Sequence, residues 1–421
     1  MKLRSRKKLA HDRCVAPSQT IAKLEEIMRG QYDYWLHEEA VSDELYWSAM
    51  FIEGVDFRSM GKGITAEGSR VGALAEGAES LLALETQALP GYVTASEMSI
   101  SNALPIASLL DHVASATPPV LEKIRFLDEA YHWVDGYSLT HDHTLKVPIE
   151  YVWTISGPNG RATGNNVEEA ILHAALEIFE RRAQIAVLRN RMVVPTIDLM
   201  SIENPFVHRQ VAFFAQHGIE IILKDMSFGD ALPCIGAYFV DHNIPEDFQF
   251  RHFFKVGASF DTNEALLRIF TEYAQGRRKH EFLNPNSQTL ESDLNALLAV
   301  DFRQLPTQPD DCDNFMSAFM FGLVPYRNAD FFRKGETTAV DCKQSSDDCL
   351  DDIHQAISIC ETLGKDFIVV NLSDPQFDFP VVQVVVPGYS DVLPFHPVHS
   401  KILFKRWTRQ DALDSYRNDH R

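Results

Sequence analysis

Three times along the chain a small-residue loop and a capping residue lead into a segment whose acids and amides recur along one helical face. No other feature restricts the fold as much. The first unit runs Ser59-Met60-Gly61-Lys62-Gly63-Ile64-Thr65 into a helix expected over residues 66–84. At about 100° per residue, Glu76, Glu79 and Ala83 share one face and Leu74, Ala78 and Leu81 the opposite one. The second runs from Ser156 to Asn166, with glycines at 157, 160 and 164, into a helix expected over 167–185. There His173, Glu177, Glu180, Arg181 and Gln184 form a stripe roughly 110° from the apolar stripe Val167, Ile171, Ala174, Ile178 and Ile185. Asn165 or Asn166 is placed to cap this helix, and Glu168 and Glu169 occupy the first turn, where the helix dipole favours anions. The third unit follows Gly257-Ala258-Ser259-Phe260-Asp261; Asp261 and Glu264 have capping-box spacing, and Arg268, Glu272 and Gln275 share a face opposite Leu267 and Phe270. Sequence repetition does not accompany the pattern, so the likeness is geometric and not an internal duplication.

An acidic helix face is ordinarily just solvated; the conjunction is what points to chemistry. Two Glu-x-x-Glu pairs on separate helices can set four carboxylates around divalent cations, while Lys62, Arg181 and Arg268 bring positive charge to a polyphosphate. Hard oxygen ligands suit Mg2+, which bridges carboxylates to nucleotide phosphates. That is how an acidic chain, with 39 Lys+Arg against 59 Asp+Glu and a formal charge of −20, can bind ATP. The same charge repels extended DNA or RNA, so no nucleic-acid partner is expected and any phosphate site is local.

With 421 residues, 45% hydrophobic and 23% charged, the chain can bury a large core, which excludes a disordered or fibrous protein. Strand-like and helical segments are mixed and no Ser/Gly/Pro linker divides them, so an α/β or α+β single domain is expected. A helix over 352–363, then β-branched strands over 367–372 and 381–386, closes the fold, while 306–311 and 341–352 read as surface loops. Six cysteines without CxxC pairs read as reduced thiols, and no run of 18 apolar residues occurs, so a soluble cytoplasmic protein with no membrane partner is expected. Competing motifs fail. Gly61-Lys62-Gly63 lacks Walker A spacing and its Ser/Thr, His141-Asp142-His143 lacks a zinc-site partner and reads as a loop or strand edge, and no nucleophile elbow is present.

The segments Asn159-Gly160 to Gly164-Asn165, Glu168-Glu169-Ala170, Ala175-Leu176-Glu177 and Glu180-Arg181 resemble the signature of the YcaO family, whose members use ATP and magnesium to activate a peptide backbone amide. Supporting stretches are Gly61-Lys62-Gly63 with Glu76/Glu79, the block Ala265-Leu266, Arg268, Thr271-Glu272, Gln275 and Arg277, and Pro380-Val381 to Pro387-Gly388. The resemblance covers roughly residues 10–395 and leaves 396–421 as a basic, polar tail. It implies mixed sheets and helices around a central ATP cleft. It also implies Glu76, Glu79, Glu177 and Glu180 as Mg2+ ligands, and Asn165, Glu169, Arg181, Arg268 and Glu272 as nucleotide-facing residues, joined by Arg13 and Thr20 near the start; Lys62 is counted with the nucleotide-binding set for its charge. No catalytic acid or base is singled out. Two positions depart from the family pattern: Gly72 stands where a serine is usual and Ser80 where an arginine is usual.

What the resemblance implies is O-phosphorylation of a peptide amide during biosynthesis of a ribosomally made, post-translationally modified peptide. The absence of a proline-rich end, usual in azoline-forming cyclodehydratases, tilts the expectation toward thioamide formation. Expected partners are a precursor peptide or protein substrate, a TfuA-like or substrate-presenting protein, and a second copy in a homodimer. The alternative, motivated by Gly72 and Ser80, is a catalytically silent adaptor.

Overall fold

The computed structural model describes residues 1–9, 12–54, 57–109, 130–244, 251–275 and 330–390. The expected 306–311 loop, Cys312, Arg277 and the tail from 396 lie outside the described residues.

Helix α1 (Pro17–Arg29) leads into an antiparallel meander of β1 (Tyr34–Ser42), β2 (Leu45–Ile52) and β3 (Arg58–Gly63), on which α2 (Ala66–Leu81) packs. Thr65 caps α2 by accepting a bond from the Gly68 N–H at 3.0 Å. The helix rides unusually close to β3. A Cβ at Gly61 would lie 2.0 Å from the Ser69 carbonyl oxygen, and one at Gly72 would lie 2.9 Å from the Gly61 Cα. Paired glycines therefore allow the contact that sets Lys62 of β3 beside the carboxylate face of α2.

A second sheet has the order β4-β5-β13-β14-β7, with β6 hairpinned to β5. Its strands are β4 (Val93–Ala95), β5 (Tyr131–Ser138), β6 (His143–Pro148), β7 (Arg161–Thr163), β13 (Ile368–Asn371) and β14 (Val381–Val385). The two β-branched runs thus pair antiparallel at the sheet's centre, Ile368 opposite Val385, and are buried as expected. His141 and Asp142 lie in the β5–β6 turn. The short helix α3 (Ile149–Ser156) packs against β5. The third sheet, ordered β11-β10-β9-β8-β12, comprises β8 (Thr196–Ile197), β9 (Ile219–Asp225), β10 (Cys234–Asp241), β11 (His252–Ala258) and β12 (Thr337–Thr338). Among the named strands only the β8–β12 pair is parallel, so α+β is the class that forms.

Helix α4 (Val167–Asn190) threads between the second and third sheets, touching β7 and β14 on one side and β11 on the other. It runs five residues beyond the expected end and stops at Arg191, whose left-handed φ of 47° breaks the helix. The expected two-faced helix is corrected here. Leu172, Ala175, Leu176 and Phe179 are as buried as Ile171, Ala174 and Ile178, because protein packs around most of α4 and leaves the line His173, Glu177 and Arg181 partly exposed. Gln184 is no part of a wet stripe: it is buried and its Nε2 donates to the Phe254 carbonyl at 3.0 Å.

Helix α5 (Pro205–Gln216) covers β9, and α6 (Thr262–Gln275) packs on β11 and β10 while also reaching β2 and β3, so it ties the first sheet to the third. At its start the Asp261 carboxylate accepts from the Asn263 and Glu264 N–H groups, but the Asp261 N–H donates to Ser259 Oγ. The expected surface loop 341–352 needs correction at its end, because Cys349 opens α7 (Cys349–Thr362) and Asp352 is fully buried against Lys8. Among the described residues no helix is long and apolar enough to cross a membrane.

Candidate functional site

Because α2 and α4 both pack on β7, the two Glu-x-x-Glu pairs meet across a shared cleft. Their charges act on one another. Burial pushes the Glu79 carboxyl up to about 8, with the Glu177 and Glu76 charges adding and Arg161 opposing. Burial likewise pushes Glu177 up to about 7, where Glu180 adds to it and Arg181, Lys62 and the Gly160 N–H, donating at 3.2 Å, work against it. Glu76 is raised by burial too, although it accepts from the Met60 N–H at 3.3 Å. Yet Glu76 is exposed and Glu79 and Glu177 are only half-buried. Solvent touches these groups but hydrates them poorly.

Carboxyls that burial, reinforced by neighbouring carboxylates, keeps protonated toward neutral pH fit a hard cation, whose charge would reverse that preference. Among the described residues no three His, Cys, Asp or Glu side chains gather tightly enough to enclose a metal alone. Mg2+ would complete its shell with waters and substrate phosphate oxygens beside any protein carboxylates.

Opposite stand cations. Lys62, half-buried, pairs with Glu272, and burial lowers its ammonium to about 8 against the pull of Glu180 and Glu76. Arg181 lies beside Glu180 at 3.5 Å and donates to Gln184 at 3.3 Å. Arg268 donates from Nη2 to Asp12 at 3.0 Å, and Lys8 reaches the same carboxylate at 3.2 Å. Burial opposes ionisation of Asp12, but Arg268 and Lys8 outweigh it and hold the carboxyl below its usual range.

Around the start of α4 the remaining expected residues form one connected network. Asn166, and not Asn165, is the cap, accepting from the Glu169 N–H at 2.9 Å. Asn165 is thereby free to use its side chain elsewhere: its Nδ2 donates to Glu169 Oε1 at 3.0 Å, and its Oδ1 accepts from Thr20 Oγ at 2.9 Å. Arg13 donates to Glu169 Oε1 at 3.1 Å and the Cys14 N–H to Oε2 at 3.1 Å. Arg6, Cys14, Asn165 and Asn166 line a groove beside this network. One turn before Glu177, His173 joins the two halves. Burial and the charges of Arg13, Arg268 and Lys62 push it well below its usual value, so the ring is neutral.

All twelve expected site residues therefore fall on the walls of one region built by α1, α2, β3, α4 and α6. The sequence reading missed Asp12, Arg161 and Lys255. Arg161 sits on β7 facing Glu79, so it supplies from another element a guanidinium that Ser80 cannot. Lys255 of β11, lowered to about 7 by burial and by the charges of Arg181 and Lys62, faces the same cleft. Its signal was hidden, because Lys255 interrupts an otherwise apolar strand pattern that reads as core.

A family model described as YcaO cyclodehydratase, ATP- and Mg2+-binding, matches residues 60–390. An uncharacterized protein of Methanothermobacter thermautotrophicus is 27% identical over 163 residues, 36% of this chain and 42% of its own length. An uncharacterized protein in the tfuA 3' region of Rhizobium leguminosarum bv. trifolii is 25% identical over 294 residues, 63% of this chain and 67% of its own. Among solved structures, a heterocyclase in complex with substrate and cofactor superposes with a TM-score of 0.70 at 20% identity, over 92% of this chain and 54% of that one. YcaO from Methanopyrus kandleri, bound with AMPPCP and Mg2+, gives 0.58 at 19% identity over 90% and 92%. These two share the fold. The chain spans less than half of the Methanothermobacter relative and about half of the heterocyclase.

Proposed function

The chain belongs to the YcaO family, and from that premise we propose that it uses ATP with Mg2+ to activate a peptide backbone amide. The observation that supports this most is the meeting of Glu76/Glu79 with Glu177/Glu180 in one poorly hydrated cleft. These four would hold Mg2+, which supplies positive charge at the phosphate oxygens. Arg13, Asn165 and Glu169 grip one side of the nucleotide, with Thr20 fixing Asn165. Lys62, Arg181 and Arg268 bind the other side and neutralise phosphoryl charge as it shifts toward the leaving group, with Glu272 holding the Lys62 ammonium in place.

An amide carbon is a poor electrophile and its oxygen a poor leaving group. When sulfide or a neighbouring Cys, Ser or Thr side chain adds to that carbon, the amide oxygen takes the γ-phosphoryl group of ATP and ADP departs. Phosphate then leaves with the C–O bonding pair. Holding the peptide carbonyl in line with the γ-phosphate is the protein's main contribution.

Titration of Mg-ATP into the Glu177→Gln plus Glu180→Gln variant tests the site. Affinity is expected to fall roughly tenfold or more, and unchanged binding by a folded variant rejects the assignment. Thioamidation is the favoured outcome, supported by the relative from the tfuA 3' region, with a precursor peptide, a TfuA-like protein and a second copy of the chain as partners. Mass spectrometry of peptide treated with the protein, partner, sulfide and Mg-ATP separates the outcomes: exchange of oxygen for sulfur supports thioamidation, whereas loss of water indicates an azoline. Peptide-dependent ATP turnover eliminates the silent-adaptor alternative.

A further inference from the structure

The first residues form a strap that the amide chemistry does not use. Arg4 donates its backbone N–H to Glu168 at 2.7 Å, and Arg6 donates its own to Asp348 at 2.9 Å. The Cys349 N–H donates to the Arg6 carbonyl at 2.9 Å, and the Lys8 N–H to the Asp347 carbonyl at 2.8 Å. The strap then turns back, and Cys14 Sγ comes to 3.3 Å from Cys349 Sγ, although 335 positions separate them in sequence. The two thiols are unequal. Cys349 is fully buried as the first residue of α7, whereas Cys14 is half-buried on the wall of the groove beside Asn165. The Cys14 N–H is also one of the donors holding Glu169.

We propose that Cys14 and Cys349 are a thiol-oxidation site, in which hydrogen peroxide converts the pair to an intrachain disulfide that latches the strap onto α7 and loosens the grip on Glu169. The sulfurs need to approach by only about 1 Å to bond. Cys14 is the reachable nucleophile and Cys349 the resolving thiol. Hydrogen bonding from the Cys349 thiol and from the Asn166 side chain favours the Cys14 thiolate against burial, and the same S–H contact raises Cys349. The Cys14 thiolate attacks one peroxide oxygen, giving a sulfenic acid and, after protonation, water. The Cys349 sulfur then attacks the sulfenic sulfur and expels a second water. Two thiols lose two electrons and two protons, which the peroxide takes up; a dithiol reductant reverses the link. Because Cys349 is fixed in a helix, Cys14 moves, and its N–H bond to Glu169, already at 3.1 Å, lengthens. That last consequence rests on the nucleotide reading above, but the disulfide does not.

The test treats the full chain with stoichiometric hydrogen peroxide, followed by peptide mapping without reductant. A cross-linked peptide joining Cys14 to Cys349, removed by dithiothreitol, is expected. Cys349→Ser should instead leave a sulfenic acid at Cys14 that dimedone traps, and Cys14→Ser should give no cross-link. Free Cys14 and Cys349 alongside oxidised Cys342, which is exposed, would overturn the proposal. Mg-ATP should bind the oxidised wild-type chain about fivefold or more weakly than the reduced one, and equal affinities would overturn the latch. Failure of Mg-ATP to bind in either state counts against the nucleotide reading alone, because the peptide map is independent of it.

Discussion

At Gly72 the absence of a side chain decides how near α2 comes to β3, and so how near Glu76 comes to Lys62. A serine there would press its Cβ to 2.9 Å from the Gly61 Cα and 3.2 Å from the Lys62 nitrogen. Gly72→Ser should therefore destabilise the protein by about 1–3 kcal/mol, read from urea midpoints. A smaller change at this position would show that the helix can slide. Gly72 thus has a packing consequence in this chain, which the sequence alone could register only as a missing hydroxyl. The carboxylates carry a second residue-scale consequence. Glu79 and Glu177 titrate near 8 and 7 in the folded chain but start from 4.5. Between those values the native state binds more protons than the unfolded one, so stability falls as pH rises. Without cations the protein should lose stability steadily from about pH 5 to pH 8, and Glu79→Gln should flatten that slope. A flat wild-type profile would show that these carboxyls are ionised throughout.

Helix α4 shows what an element can do that its residues cannot do singly. Its start is satisfied three ways: Asn166 caps it, Glu168 is bound by the strap, and Glu169 gathers Arg13, Cys14 and Asn165. The adjacent asparagines should therefore separate in experiment. Asn166→Ala should cost about 1 kcal/mol of unfolding free energy, whereas Asn165→Ala should leave the urea midpoint nearly unchanged and weaken Mg-ATP binding. Equal effects from both would mean that the capping and binding roles are not divided. Acid spacing on α4 was legible because Glu177 and Glu180 sit one turn apart whatever surrounds them. Its burial was not, because a helix that is apolar on most sides shows no clear periodicity, and His173, Glu177 and Gln184 look alike until their neighbours are known.

Over the whole molecule, the strap draws residues near the start against α7, more than three hundred positions later. Its lysines differ in kind. Lys8 is almost fully buried between Asp12 and Asp352, while Lys7 and its partner Asp347 are exposed. Lys8→Ala should destabilise by about 3–5 kcal/mol, because it leaves a buried carboxylate uncompensated; Lys7→Ala should leave the urea midpoint nearly unchanged, because solvent screens its exposed pair. Comparable urea midpoints for the two variants would show that water reaches Asp352. Local spacing and capping in the sequence determined where α2, α4 and α6 begin, which carboxylates pair along them, and that β13 and β14 are buried strands, because those properties depend on residues a turn or a pleat apart. Only tertiary structure decided that the pairs share a cleft, that Arg161 and Lys255 join it, and that Cys14 meets Cys349. Distances between segments far apart in the chain are set by how whole sheets and helices pack, and no spacing within a segment encodes them.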